Sequence, residues 1–131
     1  MPNSSVLIVD DNPDVRDLVR MLLEDHDYRV LTAEDGGEAL EVLRGATNLP
    51  DVIILDLAMP RVDGFAFRRE QLRDPELANI PVIVLSANPD IDVAAAQLNA
   101  AACFNKASSF APLATVVAQV CSMMKRVSAA M

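Results

Sequence analysis

Five polar residues could do chemistry together, because each stands at or next to the end of a short apolar run. Asp10 and Asp11 follow VLIV, Asp56 follows VIIL, Ser86 follows VIVL, and Lys106 follows ACFN. Carboxylate oxygens with no His or Cys nearby favour a hard cation such as Mg2+. An aspartate can also act as a nucleophile toward a phosphoryl group. The set indicates a magnesium-dependent phosphoryl-transfer site, if the fold brings these residues to one place.

The apolar runs alternate with helical patterns along the whole chain. Strands are predicted at 6–9, 28–34, 52–55, 82–86 and 102–106. Helices are predicted from Pro13 onward, at 36–45, 64–73 and 89–100, and in a last segment with apolar residues at helical spacing from Leu113 to Met124. Such alternation predicts an α/β fold with a parallel sheet and helices on both faces. Because the carboxyl ends of parallel strands meet at one sheet edge, we expect the five polar residues there.

Length and composition restrict the classes of protein that fit. The 131 residues suit one domain, and Cys103 and Cys121 are too far apart in sequence for a CxxC zinc or redox motif. The net charge of −8 argues against direct nucleic-acid binding. No apolar run approaches the ~20 residues of a membrane span, and the first residues lack a signal-peptide pattern. We therefore expect a soluble, cytoplasmic protein that does not contact a membrane.

The motifs at the ends of the apolar runs resemble a known family. VLIVDDNPD, VIILDLAMPRVDG, VIVLSA and FNK are similar to the receiver domain of bacterial two-component response regulators, and the resemblance covers nearly the whole chain. It implies a flavodoxin-like, doubly wound sheet of five parallel strands in the order 2-1-3-4-5, with five helices. It also implies one receiver domain over residues 1–131, like a single-domain chemotaxis regulator. Such a domain is a phosphoacceptor signalling module rather than an enzyme in the usual sense.

The resemblance also implies a set of metal ligands. Asp56 would be the phospho-acceptor, and Asp11 and Asp56 would be direct ligands of Mg2+. Asp10 would act mainly through a metal-bound water. The backbone carbonyl of Ala58 would complete the protein ligands.

Two further residues have roles implied by the resemblance. Ser86 would be a switch hydroxyl that hydrogen-bonds the phosphoryl group, and Lys106 would pair with its charge. The donor would be a phosphohistidine on a sensor histidine kinase or a phosphotransfer protein. Ala58 cannot orient an attacking water by hydrogen bonding, whereas Asn88, two positions beyond Ser86, can. We therefore predict moderate to slow self-dephosphorylation.

Two positions depart from the family pattern. Cys103 stands where an aromatic residue is usual, and Phe104 should point to the opposite, core side of the strand. Ala107 stands where proline usually follows the lysine, and a cis bond before a non-proline residue costs about 3 kcal/mol. These departures should leave phosphorylation chemistry in place, but they remove the aromatic side chain on which the usual readout depends.

Other interpretations of the same residues stay open. Asp10-Asp11-Asn12-Pro13, taken alone, is also typical of a helix cap. Arg68 and Arg69 are expected on a solvated helix face, and Asp63 as a turn residue before Gly64, whose backbone is permissive. A phosphohydrolase of the haloacid-dehalogenase kind usually has Asp-x-Asp after its first strand, which this chain lacks. A pseudo-receiver that binds partners without phosphorylation is the main alternative function.

The charge distribution suggests where a partner binds. All 19 acidic residues lie at or before Asp92, and Lys106 is the only charged residue between 93 and 124. Receivers often dock or dimerise through this part of the fold. We expect residues 93–124 to form an apolar surface for a downstream protein target or for self-association.

Overall fold

The protein forms one five-stranded sheet with helices packed on it. The computed structural model describes residues 4–57, 64–86, 93, 96–105 and 110–130, with side chains up to residue 123. The strands are β1 Ser5–Val9, β2 Arg29–Ala33, β3 Val52–Asp56, β4 Val82–Ser86 and β5 Ala102–Asn105. The helices within the described residues are α1 Pro13–Glu24, α2 Gly36–Gly45, α3 Gly64–Arg73 and α4 Leu113–Ala130.

All neighbouring strands are parallel, in the order β2-β1-β3-β4-β5. This confirms the flavodoxin-like topology that the sequence predicts. The helix predicted at 89–100 lies largely outside the described residues. Val93, Ala96 and Gln97 are helical, and the chain turns at Leu98 and Asn99 before β5.

The core lies on both faces of the sheet, because alternate residues of each strand point to opposite sides. Leu7 and Val9 of β1 join a cluster with residues of α2 and α3. Val6 and Ile8 join a second cluster with residues of α1 and α4. Every residue of β3 and β4 is buried, as expected of central parallel strands covered on both sides.

Local signals explain where two helices begin. The side chain of Asn12 caps α1 by accepting hydrogen bonds from the amides of Asp14 at 2.9 Å and Val15 at 3.4 Å. Pro13 occupies the first turn, where its missing N–H costs nothing. Asp35 caps α2 by accepting from the amide of Glu38 at 2.8 Å. Helix α1 departs from its sequence pattern at Leu18, whose side chain is 47% exposed although it belongs to the apolar stripe.

The described helices are not of a membrane-spanning kind. None of them combines the length and the apolar composition needed to cross a bilayer.

Candidate functional site

Three carboxylates meet where β1 and β3 end. Asp10 and Asp11 follow β1, and Asp56 is the last residue of β3. The two strands are neighbours, with Val9 paired with Leu55, so the sheet brings these aspartates together. One carboxylate oxygen from each of the three lies within 4.8 Å of the others.

The three carboxylates differ in their access to solvent. Asp10 is fully buried and Asp56 is 3% exposed, whereas Asp11 is exposed. Two negative groups are therefore held in a region of low dielectric, where their mutual repulsion is strong. A bound cation would offset that repulsion, and the cluster is open to solvent on the Asp11 side.

The turn after β1 holds Asp10 through its main chain and its side chain. The Asp10 amide donates to the Ala33 carbonyl at 3.1 Å, and the Asn12 amide donates to Asp10 Oδ1 at 2.9 Å. Arg16, one turn into α1, donates from a guanidinium nitrogen to the Asp10 carbonyl at 2.7 Å. The helix-cap role considered for this segment belongs to Asn12.

The donor set fits a hard divalent cation. Over the described residues it consists of carboxylate oxygens that lie close enough together to hold one metal ion. Magnesium usually takes one or two carboxylates and completes its shell with water, carbonyls or a phosphate. The acidic cluster is therefore suitable for Mg2+ together with a phosphoryl group.

Ser86 belongs to the same edge of the sheet as the three aspartates. Ser86 is the last residue of β4 and is 5% exposed, and Asp56 pairs with Leu85 just before it. Lys106 and Ala58 lie outside the described residues. The roles suggested for them remain predictions.

Gly64 is needed here for a reason other than the one expected from the sequence. Its φ is not positive, so no left-handed backbone is involved. Instead α3 begins in contact with the end of β3, and the Gly64 amide donates to the Leu57 carbonyl at 3.2 Å. A Cβ on Gly64 would lie 2.7 Å from the Asp56 carbonyl oxygen and 2.8 Å from the Leu57 Cα. A glycine is required because main chain meets main chain.

Comparison with known proteins decides the family. The profile of the response regulator receiver domain matches residues 6–118, most of the chain. The chain belongs to the response regulator receiver family. The response regulator MprA of a Mycobacterium species (strain KMS) is 37% identical over 123 residues, which cover 94% of this receiver domain and 51% of MprA. The chain spans less than two thirds of the length of the first curated relatives that it matches.

Solved structures agree with this receiver assignment. The chemotaxis protein CheY4 of Vibrio cholerae is 30% identical, with a TM-score of 0.79 and coverage of 89% of this chain and 98% of that one. The response regulator TrrA of Thermotoga maritima, solved in complex with Mg2+ and BeF, is 27% identical, with a TM-score of 0.77 and the same two coverages.

The receiver domain contains a buried arginine where the sequence predicted a solvated one. Arg69 is exposed as expected, but Arg68 is only 5% exposed, so that part of the prediction is wrong. Gly64, Phe67, Arg68 and Gln71 are the buried residues of α3. Their spacing is that of an apolar helix stripe with two polar members, a signal from which the burial of Arg68 could have been found.

The two residues expected on opposite sides of β5 are found there. Cys103 is half-buried and packs against the cluster formed with α2 and α3. Phe104 is buried in the other cluster, and its ring stacks on Phe110 with centroids 5.9 Å apart. In this receiver domain the small thiol of Cys103 therefore lies on one side of β5, and the ring of Phe104 lies on the other. Ala107 lies outside the described residues.

Proposed function

We propose that this receiver domain accepts a phosphoryl group on Asp56, from a phosphohistidine of a sensor histidine kinase or phosphotransfer protein, in a reaction that requires Mg2+. The observation that carries the proposal is the approach of Asp10, Asp11 and Asp56 within 4.8 Å at the end of β1 and β3. The proposed setting is a cytoplasmic signalling module made of residues 1–131, alone or within a longer protein.

The proposed reaction is a transfer between two side chains. A carboxylate oxygen of Asp56 attacks phosphorus, the P–N bond to the donor histidine breaks, and an acyl phosphate forms on Asp56. Asp10, Asp11, Asp56 and the Ala58 carbonyl would hold Mg2+, which when bound supplies positive charge to the transferring oxygens. The imidazole leaves with the electron pair of the P–N bond and takes up a proton.

Two further residues would respond to the phosphoryl group. Ser86 is buried at the end of β4, on the same edge as Asp56, and its hydroxyl can donate a hydrogen bond to a phosphoryl oxygen. Lys106 follows Asn105, which pairs with Ser86 in the sheet, and its ammonium would offset the remaining charge. With these contacts the domain carries out only its own phosphorylation and a slow self-dephosphorylation, and a half-life of seconds or less would contradict the slow rate.

The output of the switch would be a protein-binding surface over residues 93–124. Val93 is 59% exposed and Met123 is 54% exposed, and Lys106 is the only charged residue in this range. A partner would thus be recognised by apolar burial rather than by ion pairs. The occupant would be a downstream protein target or a second copy of the chain.

Phosphorylation is tested by intact mass spectrometry. Wild-type protein incubated with acetyl phosphate and Mg2+ is expected to gain one phosphoryl group, and Asp56→Asn to gain none. Asp51→Asn is the matched control, because Asp51 is the exposed carboxylate just before the other end of β3. Chelation of Mg2+ with EDTA should abolish the gain in both reactive proteins.

The same samples separate the main alternative. A pseudo-receiver would give folded protein by two-dimensional NMR, no phosphoryl gain, and no change of spectrum with Mg2+ and beryllofluoride.

The surface of residues 93–124 is tested by substitution. Val93→Lys and Met123→Lys should reduce partner binding or self-association, whereas Leu18→Lys on α1 should not. A protein that remains monomeric with beryllofluoride and binds no partner through residues 93–124 would retire the surface.

A further inference from the structure

Arg68 is a buried cation whose burial must be compensated. Arg68 is 5% exposed, and removal from water lowers the pKa of its guanidinium. Burying a charge is costly unless its donors are satisfied by well-placed acceptors. The acceptors around Arg68 therefore indicate what the residue holds in place.

Among the described residues, the guanidinium makes three hydrogen bonds, and all go to neutral oxygens. Nε donates to the Leu98 carbonyl at 3.0 Å, and one terminal nitrogen donates to the Asn99 carbonyl at 3.2 Å. The other terminal nitrogen donates to Gln71 Oε1 at 2.7 Å. The planar fork thus binds two successive main-chain carbonyls that lie about thirty residues further along the chain.

The two carbonyls mark the end of a helical segment. Ala96 and Gln97 are helical, and the Asn99 amide donates to the Ala96 carbonyl at 3.2 Å. Asn99 has φ 53°, the left-handed conformation that commonly follows the last turn of a helix. Carbonyls at such an end receive no hydrogen bond from an N–H group of the helix, and they carry the negative end of its dipole. A guanidinium is therefore a suitable partner for them.

Gln71 connects the same group to the segment before β4. Its side-chain nitrogen donates to the Leu77 carbonyl at 2.9 Å and to the Ile80 carbonyl at 3.0 Å. Gln71 is fully buried. Arg68 and Gln71 therefore join α3 to two turns, one that precedes β4 and one that precedes β5.

We propose that Arg68 is a positioning residue that fastens the turn at Leu98 and Asn99 to α3. With that turn fixed, a change at the phosphorylation site is expressed elsewhere on the surface of residues 93–124 and not in the turn itself. This second step depends on the proposed function; the fastening itself does not. Displacing the turn would leave a buried charge without its two carbonyl acceptors, which is why the turn stays in place.

The fastening is tested by amide hydrogen exchange without any phosphate mimic. Arg68→Met should raise the exchange rates of the Asn99 and Ala101 amides by about tenfold or more, since two charge-assisted hydrogen bonds that order the turn are lost. Arg69→Met is the matched control, because it removes the same charge from the adjacent, exposed position and should leave both rates unchanged. Equal rates in wild type and Arg68→Met, or equal increases in both variants, would overturn the fastening.

Arg68→Lys keeps the buried charge and provides the comparison if Arg68→Met does not fold. An ammonium cannot span two successive carbonyls as the fork does, so a smaller increase in exchange is expected at the same two amides. Exchange as slow as that of wild type in Arg68→Lys would show that the fork is not required and would contradict the assignment.

The switching step is tested with Mg2+ and beryllofluoride. In wild type, the NMR shift changes should leave residues 98–101 unaffected, and in Arg68→Met they should include residues 98–101. Identical patterns in both proteins would overturn the fixed turn. A wild type that gives no response at all would refute the proposed phosphorylation instead, while the exchange result would still decide whether Arg68 fastens the turn.

Discussion

Gly64 lies so close to the main chain of Asp56 that no side chain at position 64 would fit between them. A Cβ at Gly64 would lie 2.7 Å from the Asp56 carbonyl oxygen. The start of α3 is thereby seated directly against the residue proposed to carry the phosphoryl group. Any side chain at position 64 must push that residue or the helix away.

Gly64→Ala is accordingly expected to lower the free energy of unfolding by about 1–3 kcal/mol, the usual cost of forcing extra atoms into a packed region. It should also slow phosphoryl uptake from acetyl phosphate, because Asp56 is displaced. Gly45→Ala is the control: at the end of α2 its Cβ would meet no described atom within 4 Å, and the variant should be neutral or slightly stabilised. Urea unfolding measures the stability of both variants. Equal stabilities of Gly64→Ala and Gly45→Ala would contradict the close contact.

Magnesium should stabilise the protein through the acidic cluster. Binding to the folded state alone adds about 2.7 kcal/mol when the free ion is at 100 times its dissociation constant. Without Mg2+, Asp56→Asn should instead raise the melting temperature, because one of the buried, mutually repelling carboxylates is removed. Thermal melts in EDTA and in Mg2+ measure both effects. Asp51→Asn should respond to Mg2+ as wild type does; an Asp56→Asn protein with the full Mg2+ response would contradict the site.

Arg16 should support Mg2+ binding although it carries a positive charge. Its hydrogen bond to the Asp10 carbonyl holds the turn that presents Asp10 and Asp11. Loss of the charge alone would strengthen the attraction of the cluster for a cation, whereas loss of the turn geometry would weaken it. We expect Arg16→Met to weaken Mg2+ binding by about tenfold, the value of one charge-assisted hydrogen bond.

Arg20→Met controls for the charge of Arg16. Arg20 lies one turn further along α1 and pairs with Asp17 in an exposed ion pair. Calorimetric titration should show Mg2+ binding unchanged or slightly tighter in this variant. Tighter binding in Arg16→Met would mean that charge outweighs geometry at this position.

Tyr28 should make stability fall at high pH. Burial, followed by the nearby Cys121 and Asp51, raises the pKa of the phenol above its usual 10.0. The unfolded chain then loses this proton first, so the contribution is fully present below pH 10 and is lost as the pH rises through the raised value. The chain has one Tyr and no Trp, so ultraviolet absorbance follows this phenol alone among the aromatic groups.

The measurement is a spectrophotometric titration in buffer and in urea. The midpoint should lie above 10.0 in buffer and fall toward 10.0 on unfolding. Above pH 10, Tyr28→Phe should lose less stability than wild type. This comparison corrects for the lysines, which titrate in the same pH range in both proteins. A native midpoint at 10.0 or below would contradict the burial of the phenol.

Several features could be predicted because they depend on neighbouring residues. The apolar runs end at Asp10, Asp56 and Ser86, and a parallel sheet necessarily brings such ends to one edge. Cys103 and Phe104 face opposite ways because successive side chains of a strand alternate. The bounds of α2 and α3 were predicted for the same kind of reason, from Gly36 to Gly45 and from Gly64 to Arg73.

Other features could not be predicted because they depend on residues far apart in the chain. Nothing near Arg68 in the sequence shows that the carbonyls of Leu98 and Asn99 will receive its guanidinium. Leu18 repeats the apolar spacing of α1, yet none of the described helices and strands covers it fully, and it stays half exposed. The need for Gly64 likewise comes from the place where α3 meets the end of β3.

The sequence alone determined the alternation of strands and helices, the acidic residues at the strand ends and the resemblance to receiver domains, since these follow from local periodicity and short motifs. The tertiary structure alone decided which carboxylate oxygens lie within 4.8 Å of each other and which main-chain carbonyls accept hydrogen bonds from Arg68. The reason is physical: a repeat of apolar residues specifies which face of an element is covered, but only the packing of elements distant in sequence specifies what each polar atom on that face will meet.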